Sequence, residues 1–184
     1  SDAHDWTTNS GRYYLREVSV PDGYLIEQSV IPVEFTYENQ FVAWQIVDCL
    51  HSDKQTTVEI DKRAFTSDSD DTFSLSGAAL TVTDWNGNVV DSWESGEMAH
   101  VIRGLHLSHD FAGNCDPSKI YTLTETRPAD GYTTARAIQF RLEQATNDNG
   151  CLQETAVWML RESEDDEYQS GSIISPTVFS DDTV

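Results

Sequence analysis

Basic side chains are scarce in this chain of 184 residues: 11 Lys and Arg stand against 32 Asp and Glu, a net charge of −21. Neutralising phosphates needs clustered Lys and Arg, so a nucleic-acid binder is excluded. Docking on an anionic membrane surface is disfavoured for the same reason. No apolar run reaches the roughly 18 residues of a membrane-spanning helix, and the start is not the basic-then-apolar stretch of a signal peptide. Cysteine is equally sparse. Cys49, Cys115 and Cys151 form no CxxC pair, which removes the usual zinc spacing. A Gly-rich phosphate loop, a nucleophile elbow and a zincin helix are all missing. The acidic stretches at 68–71 and 147–149 miss the calcium-loop register, and His100, His106 and His109 lack a fixed set of partners. The expectation is therefore no metal and no cofactor.

Helical periodicity is absent as well, and strand periodicity takes its place. Apolar and polar residues alternate over 30–37, 58–62 and 137–142. Runs at 78–84 and 89–93 flank Trp85-Asn86-Gly87-Asn88, and Asn-Gly between such runs predicts a hairpin. Further strands are expected at 13–18, 41–50, 99–105, 120–126 and 155–161. With 38% hydrophobic residues, five of them Trp, the chain can build a core. Many short strands separated by turn signals predict an all-β sandwich or barrel. Cys49, within the apolar run QIVDCL, reads as a small core residue.

The chain repeats itself. YYLREVSVPDGY at 13–24 matches YTLTETRPADGY at 121–132 without a gap, an offset of 121 − 13 = 108 residues. That interval suits one small β domain. Three regions follow: 1–55 as the back half of a first domain, 56–164 as a complete second one, and 165–184 as an acidic linker with a further strand expected at 171–179. The first copy has no room for its front strands, since only twelve residues precede Tyr13. An open half-sandwich exposes apolar faces and sheet edges. Its cover is expected from the second domain, the C-terminal tail, or strand exchange with another copy of the chain.

These residues resemble the B-type repeat of Gram-positive surface proteins, the prealbumin-like domain of collagen adhesins and pilins. VEIDKR at 58–63 is similar to the opening Lys-bearing strand. LSGAALTVTD at 75–84 is similar to its next strand, and Trp85–Trp93 with Glu94-Ser95-Gly96 to its hairpin. Arg103-Gly104-Leu105 resembles the short turn that follows, and the 121–132 segment the hallmark itself, with Pro128 one place early. The resemblance spans roughly residues 11–162. It implies an immunoglobulin-like or prealbumin-like sandwich in tandem array. It also implies a structural stalk role in a secreted, cell-wall-attached adhesin or pilin-like protein, with neighbouring repeats as partners.

The same resemblance implies an internal cross-link between a Lys and an Asn or Asp, promoted by a buried Glu. Burial favours the neutral amine, which is nucleophilic, and the neutral carboxylic acid, which can shuttle protons. Fixed geometry supplies the effective concentration. Lys62 corresponds to the nucleophile and Glu125 to the shuttle, both expected on adjacent strands facing the core. The alternative for Lys62 is a strand-end side chain reaching for water, or a plain ion pair with Glu125 near Glu162. The acceptor position reads Arg161, which cannot serve. In the first copy Glu17 corresponds to the shuttle and Asp48 to the acceptor, while the lysine falls at 62 − 108 = −46, before Ser1. The fold it implies also brings the loops of Cys115 and Cys151 to one end, which predicts a disulfide suited to an extracellular location. The chain is accordingly not expected to be an enzyme beyond one intramolecular, single-turnover bond formation.

Two other functions compete. One is a module binding a host protein or glycan through the loops around Trp85 and 106–118, as exposed loop aromatics would favour. The other, an acidic hydrolase using paired carboxylates, lacks any recognisable motif.

Overall fold

Period-two alternation dictates strands, and the computed structural model of the chain contains them. It describes residues 12–27, 29–35, 52–65, 72–108, 116, 118–149, 151–161, 165, 167 and 169–170. Among the described residues every regular element is a strand, and there is no helix. In chain order these are β1 (Arg12–Leu15), β2 (Tyr24–Leu25), β3 (Ile31–Glu34), β4 (Lys54–Gln55), β5 (Thr57–Ile60), β6 (Arg63–Phe65) and β7 (Thr72–Ser74). They continue with β8 (Ala79–Thr83), β9 (Val89–Glu94), β10 (His100–Arg103), β11 (Tyr121–Arg127), β12 (Ile138–Thr146), β13 (Leu152–Arg161) and β14 (Gln169–Ser170). The segments expected at 41–50 and 171–179 lie outside the described residues, as does Asp48.

One six-stranded sheet, in the order β14-β13-β12-β11-β8-β9, forms one layer. The antiparallel pairs β5–β10 and β6–β7 lie apart from it as separate two-stranded sheets. Val58 of β5 and Ile102 of β10 pack in one core with Val82, Tyr121, Phe140, Leu142 and Leu160 of the large sheet, which makes the arrangement sandwich-like. Tyr121, Phe140 and Leu142 are at most 2% exposed; burial of each such side chain is worth about 1.5–3 kcal/mol. A smaller cluster of Ala64, Leu75, Ala78 and Ala129, with Tyr132 against it, forms a second core.

The Asn-Gly hairpin is present, with a different turn from the tight two-residue one. The Gly87 N–H donates to the Asp84 carbonyl at 3.0 Å and Gly87 alone in the turn has a positive φ, of 81°. A type I turn with a left-handed glycine after it matches this pattern, and the register shift between Val82 and Thr83 absorbs the extra residue. Asp84 holds the loop by accepting from the Asn86 and Asn88 N–H groups, each at 2.8 Å.

The two matching segments, 13–24 and 121–132, share local geometry at their turns. Tyr24 N–H donates to the Pro21 carbonyl at 3.2 Å, and Tyr132 N–H to the Ala129 carbonyl at 3.1 Å. Gly23 and Gly131 carry φ of 84° and 81°. Glu17 Oε2 accepts from the Glu27 N–H, and Glu125 Oε2 from the Ala135 N–H, both partners ten residues on. Burial separates the copies. Tyr13 is 59% exposed and its counterpart Tyr121 2%, because β11 lies between β8 and β12 while β1 pairs with β3 alone among the described strands. Tyr13 and Leu15, the latter 52% exposed, lie on the face expected to be covered, and the tail expected to contribute cover at 171–179 lies outside the described residues.

The first segment meets the second at a joint. β2 pairs with β4. Thr56 N–H donates to the Gly23 carbonyl at 2.9 Å, and the buried Thr56 hydroxyl reaches the Leu105 carbonyl at 2.6 Å. The Gln144 side-chain amide clips the Ile26 backbone at both ends, accepting from its N–H at 3.2 Å and donating to its carbonyl at 2.7 Å.

Candidate functional site: the Lys62–Glu125 pair

Glu125 lies on the inward face of β11 after Tyr121 and Leu123, and is 4% exposed. A bulge follows it at once, between Glu125 and Arg127. Bulges re-aim side chains near functional positions. Lys62 does not continue a strand. β5 ends at Ile60, and Lys62 sits in the two-residue link to β6, anchored where its carbonyl accepts from the Leu75 N–H at 2.7 Å. Its side chain nonetheless turns inward. Lys62 Nζ stands 3.4 Å from Glu125 Oε1 and 3.5 Å from Oε2, and the two side chains are 9% and 1% exposed.

The expectation of adjacent strands is therefore corrected. β5 and β6 belong to two-stranded sheets and β11 to the large one, so the pair joins separate sheets. The reason lies in the link after β5, which carries Lys62 off its own sheet. The contact is looser than the roughly 2.7–2.9 Å of a tight charge-assisted hydrogen bond. Among the described residues Glu125 Oε1 accepts no hydrogen bond, and it meets Lys62 at ion-pair distance. Burial of two charges costs several kcal/mol per ion, which their attraction must offset.

A cross-link needs a third group, an acyl carbon close to the amine. Arg161 lies opposite Gln139 on β12, and its Nε donates to Gln139 Oε1 at 2.7 Å. The neighbouring pair, Phe140 opposite Leu160, is the one that faces the core. Alternation therefore points Arg161 to the other side of the sheet from Glu125. Glu162 lies outside the described residues. In the first copy Glu17 is half-buried and bonded to the Glu27 N–H at 2.8 Å, with Asp48 outside the described part.

Cys151 is an exposed free thiol in the β12–β13 turn, held by the Asn147 side chain, which accepts its N–H at 2.9 Å. Cys115 lies outside the described residues. Asn147 thereby serves the turn, donating its own N–H back to the Cys151 carbonyl. No group of three His, Cys, Asp or Glu stands together to hold a metal among the described residues.

Trp85 is 36% exposed, and its ring is packed on His106 and Tyr121 at centroid distances of 5.4 and 5.6 Å. Lys119 Nζ lies 5.8 Å above it. His106 and Lys119 also flank Asp22 at 3.4 and 3.7 Å, so this aromatic belongs to the joint. The joint residues Thr56 and Gln144 carried no sequence signal, since their partners lie 33 and 118 positions away. The Asp-Gly of 22–23 was the one legible mark. No family model and no curated protein matches the chain.

Proposed function

We propose that the chain is a spacer, a structural stalk segment of a cell-surface adhesin or pilin-like protein built from B-type repeats in an immunoglobulin-like sandwich. The observation that carries this reading is the joint: the turn at Gly23 is held by backbone and side-chain bonds to Thr56, Gln55 and Gln144. A spacer must resist bending between its units, and a joint of backbone bonds around a buried hydroxyl resists it better than a flexible linker. In this reading Lys62–Glu125 is a non-covalent tie between sheets of the second unit, because the acceptor position holds an outward-turned arginine. The location is extracellular, attached to the wall through the rest of the polypeptide.

Backbone amide relaxation tests the proposal. Residues 12–35 and 57–161 are expected to tumble with one correlation time. Independent tumbling of the two segments overturns the spacer reading.

A further inference from the structure

Of the two repeated turns, one is filled and the other is open among the described residues. Asp22-Gly23-Tyr24 sits in a cradle made by the second unit. An added Cβ on Gly23 would lie 2.4 Å from the Gly104 carbonyl oxygen and 2.9 Å from the Gly104 Cα. Both are backbone atoms, so neither can move aside cheaply. Gly104 N–H in turn donates to the Thr56 carbonyl at 3.0 Å, and the Gly23 carbonyl accepts from Thr56. Asp22 lies 3.4 Å from His106 Nδ1 and 3.7 Å from the Lys119 ammonium of the cradle. In a chain of net charge −21 this is one of the places where a carboxylate finds opposite charge.

Among the described residues, the second copy repeats the turn without the cradle. Asp130 and Gly131 are exposed, and a Cβ on Gly131 would meet nothing within 4 Å among the described residues. The turn is preset in the same shape, down to the bond from the residue after the glycine and the Glu125 lock on Ala135. It also stands at the far end of its unit. Tyr121 lies beside the cradle, its hydroxyl accepting from the His106 N–H at 2.9 Å, and the seven residues of β11 lead away from it, about 20 Å at strand rise. A unit with a socket at one end and a plug at the other makes a heterologous contact, which propagates in a line.

We propose that the Asp130-Gly131-Tyr132 turn is a docking surface for the socket end of a further unit of this kind. That partner presents a buried threonine hydroxyl and a Gly-Leu turn in the places of Thr56 and Gly104-Leu105, and a cation for Asp130. The proposal rests on the spacer reading and names the partner of its open end.

The test extends the full chain by placing a second copy of residues 54–184 directly after Arg161. This keeps the spacing of the existing joint, since 56 − 24 = 32 and the added threonine falls at 132 + 32 = 164. Spin labels on the second and added units then report the distance between them. A single narrow distance is expected, lost to a broad distribution on Gly131→Asn, because asparagine tolerates the positive φ but adds a side chain. Asp130→Lys, at an exposed position, is expected to broaden it too. A broad distance in the unsubstituted extended chain, or a narrow one that both substitutions leave intact, overturns the proposal. Amide relaxation of the original chain is the control: independent tumbling of residues 12–35 and 57–161 there overturns the spacer reading itself, whatever happens at Gly131.

Discussion

Removing the lysine of the buried pair is the most direct test of the core. In Lys62→Met the aliphatic stem is kept and the charge is lost. At 3.4 Å and an effective dielectric near 20, the gross attraction is roughly 332/(20 × 3.4), about 5 kcal/mol. Desolvation of both ions cancels most of it, so the pair as a whole adds little. The single substitution differs, because it leaves the Glu125 carboxylate, 1% exposed, facing no cation among the described residues. Breaking a buried pair from one side costs about 3–5 kcal/mol. At about 2–4 °C per kcal/mol for a chain of this size, Tm should fall by roughly 6–20 °C. The double variant Lys62→Met/Glu125→Leu should recover most of that loss, since apolar replacement of a buried pair is often neutral or stabilising. Urea unfolding of the wild type, both single variants and the double variant closes the cycle. A Lys62→Met loss under about 0.5 kcal/mol, the scale of a surface substitution, would refute the reasoning, because it would mean that the amine is solvated.

Other outcomes follow from the same structure. Intact mass under reducing conditions should match the plain sequence; a loss of about 17 or 18 Da, ammonia or water, would mean that Lys62 has found an acyl partner after all. Side-chain bonding by Asn88, joined by the N–H groups of Asn88, Asn86 and Gly87 and outweighing partial desolvation, holds the Asp84 carboxyl below its usual range. Its contribution is present above about pH 4 and lost as pH falls through the folded value, so a carboxyl NMR titration should place Asp84 beneath free aspartate. Burial pushes the Tyr121 hydroxyl up, aided by Asp84 and Asp22 and opposed by the His106 N–H bond. The contribution of this hydroxyl to stability should therefore be full below about pH 10 and be lost as pH rises above it, a loss that Tyr121→Phe should remove, at a cost of about 1 kcal/mol for the lost acceptor.

Alternation along Leu80-Thr81-Val82, Tyr121–Glu125 and Phe140-Arg141-Leu142 was enough to place β8, β11 and β12, because each half-buried strand writes its inner face into every second residue. The repeat was equally legible, as were Lys62 and Glu125 as inward-facing residues. Strands β2, β4, β6, β7 and β14, two or three residues long, were not, since so short a run has no period to read. Only the tertiary structure decided that Lys62 meets Glu125 from a separate sheet, and that Arg161 faces away from them: both depend on where a strand stops and on the pairing register. The joint belongs to that class too. Gly23 requires its hydrogen side chain because Gly104, 81 residues later (104 − 23), brings its backbone against it, and a contact between two distant backbones leaves no pattern in either segment.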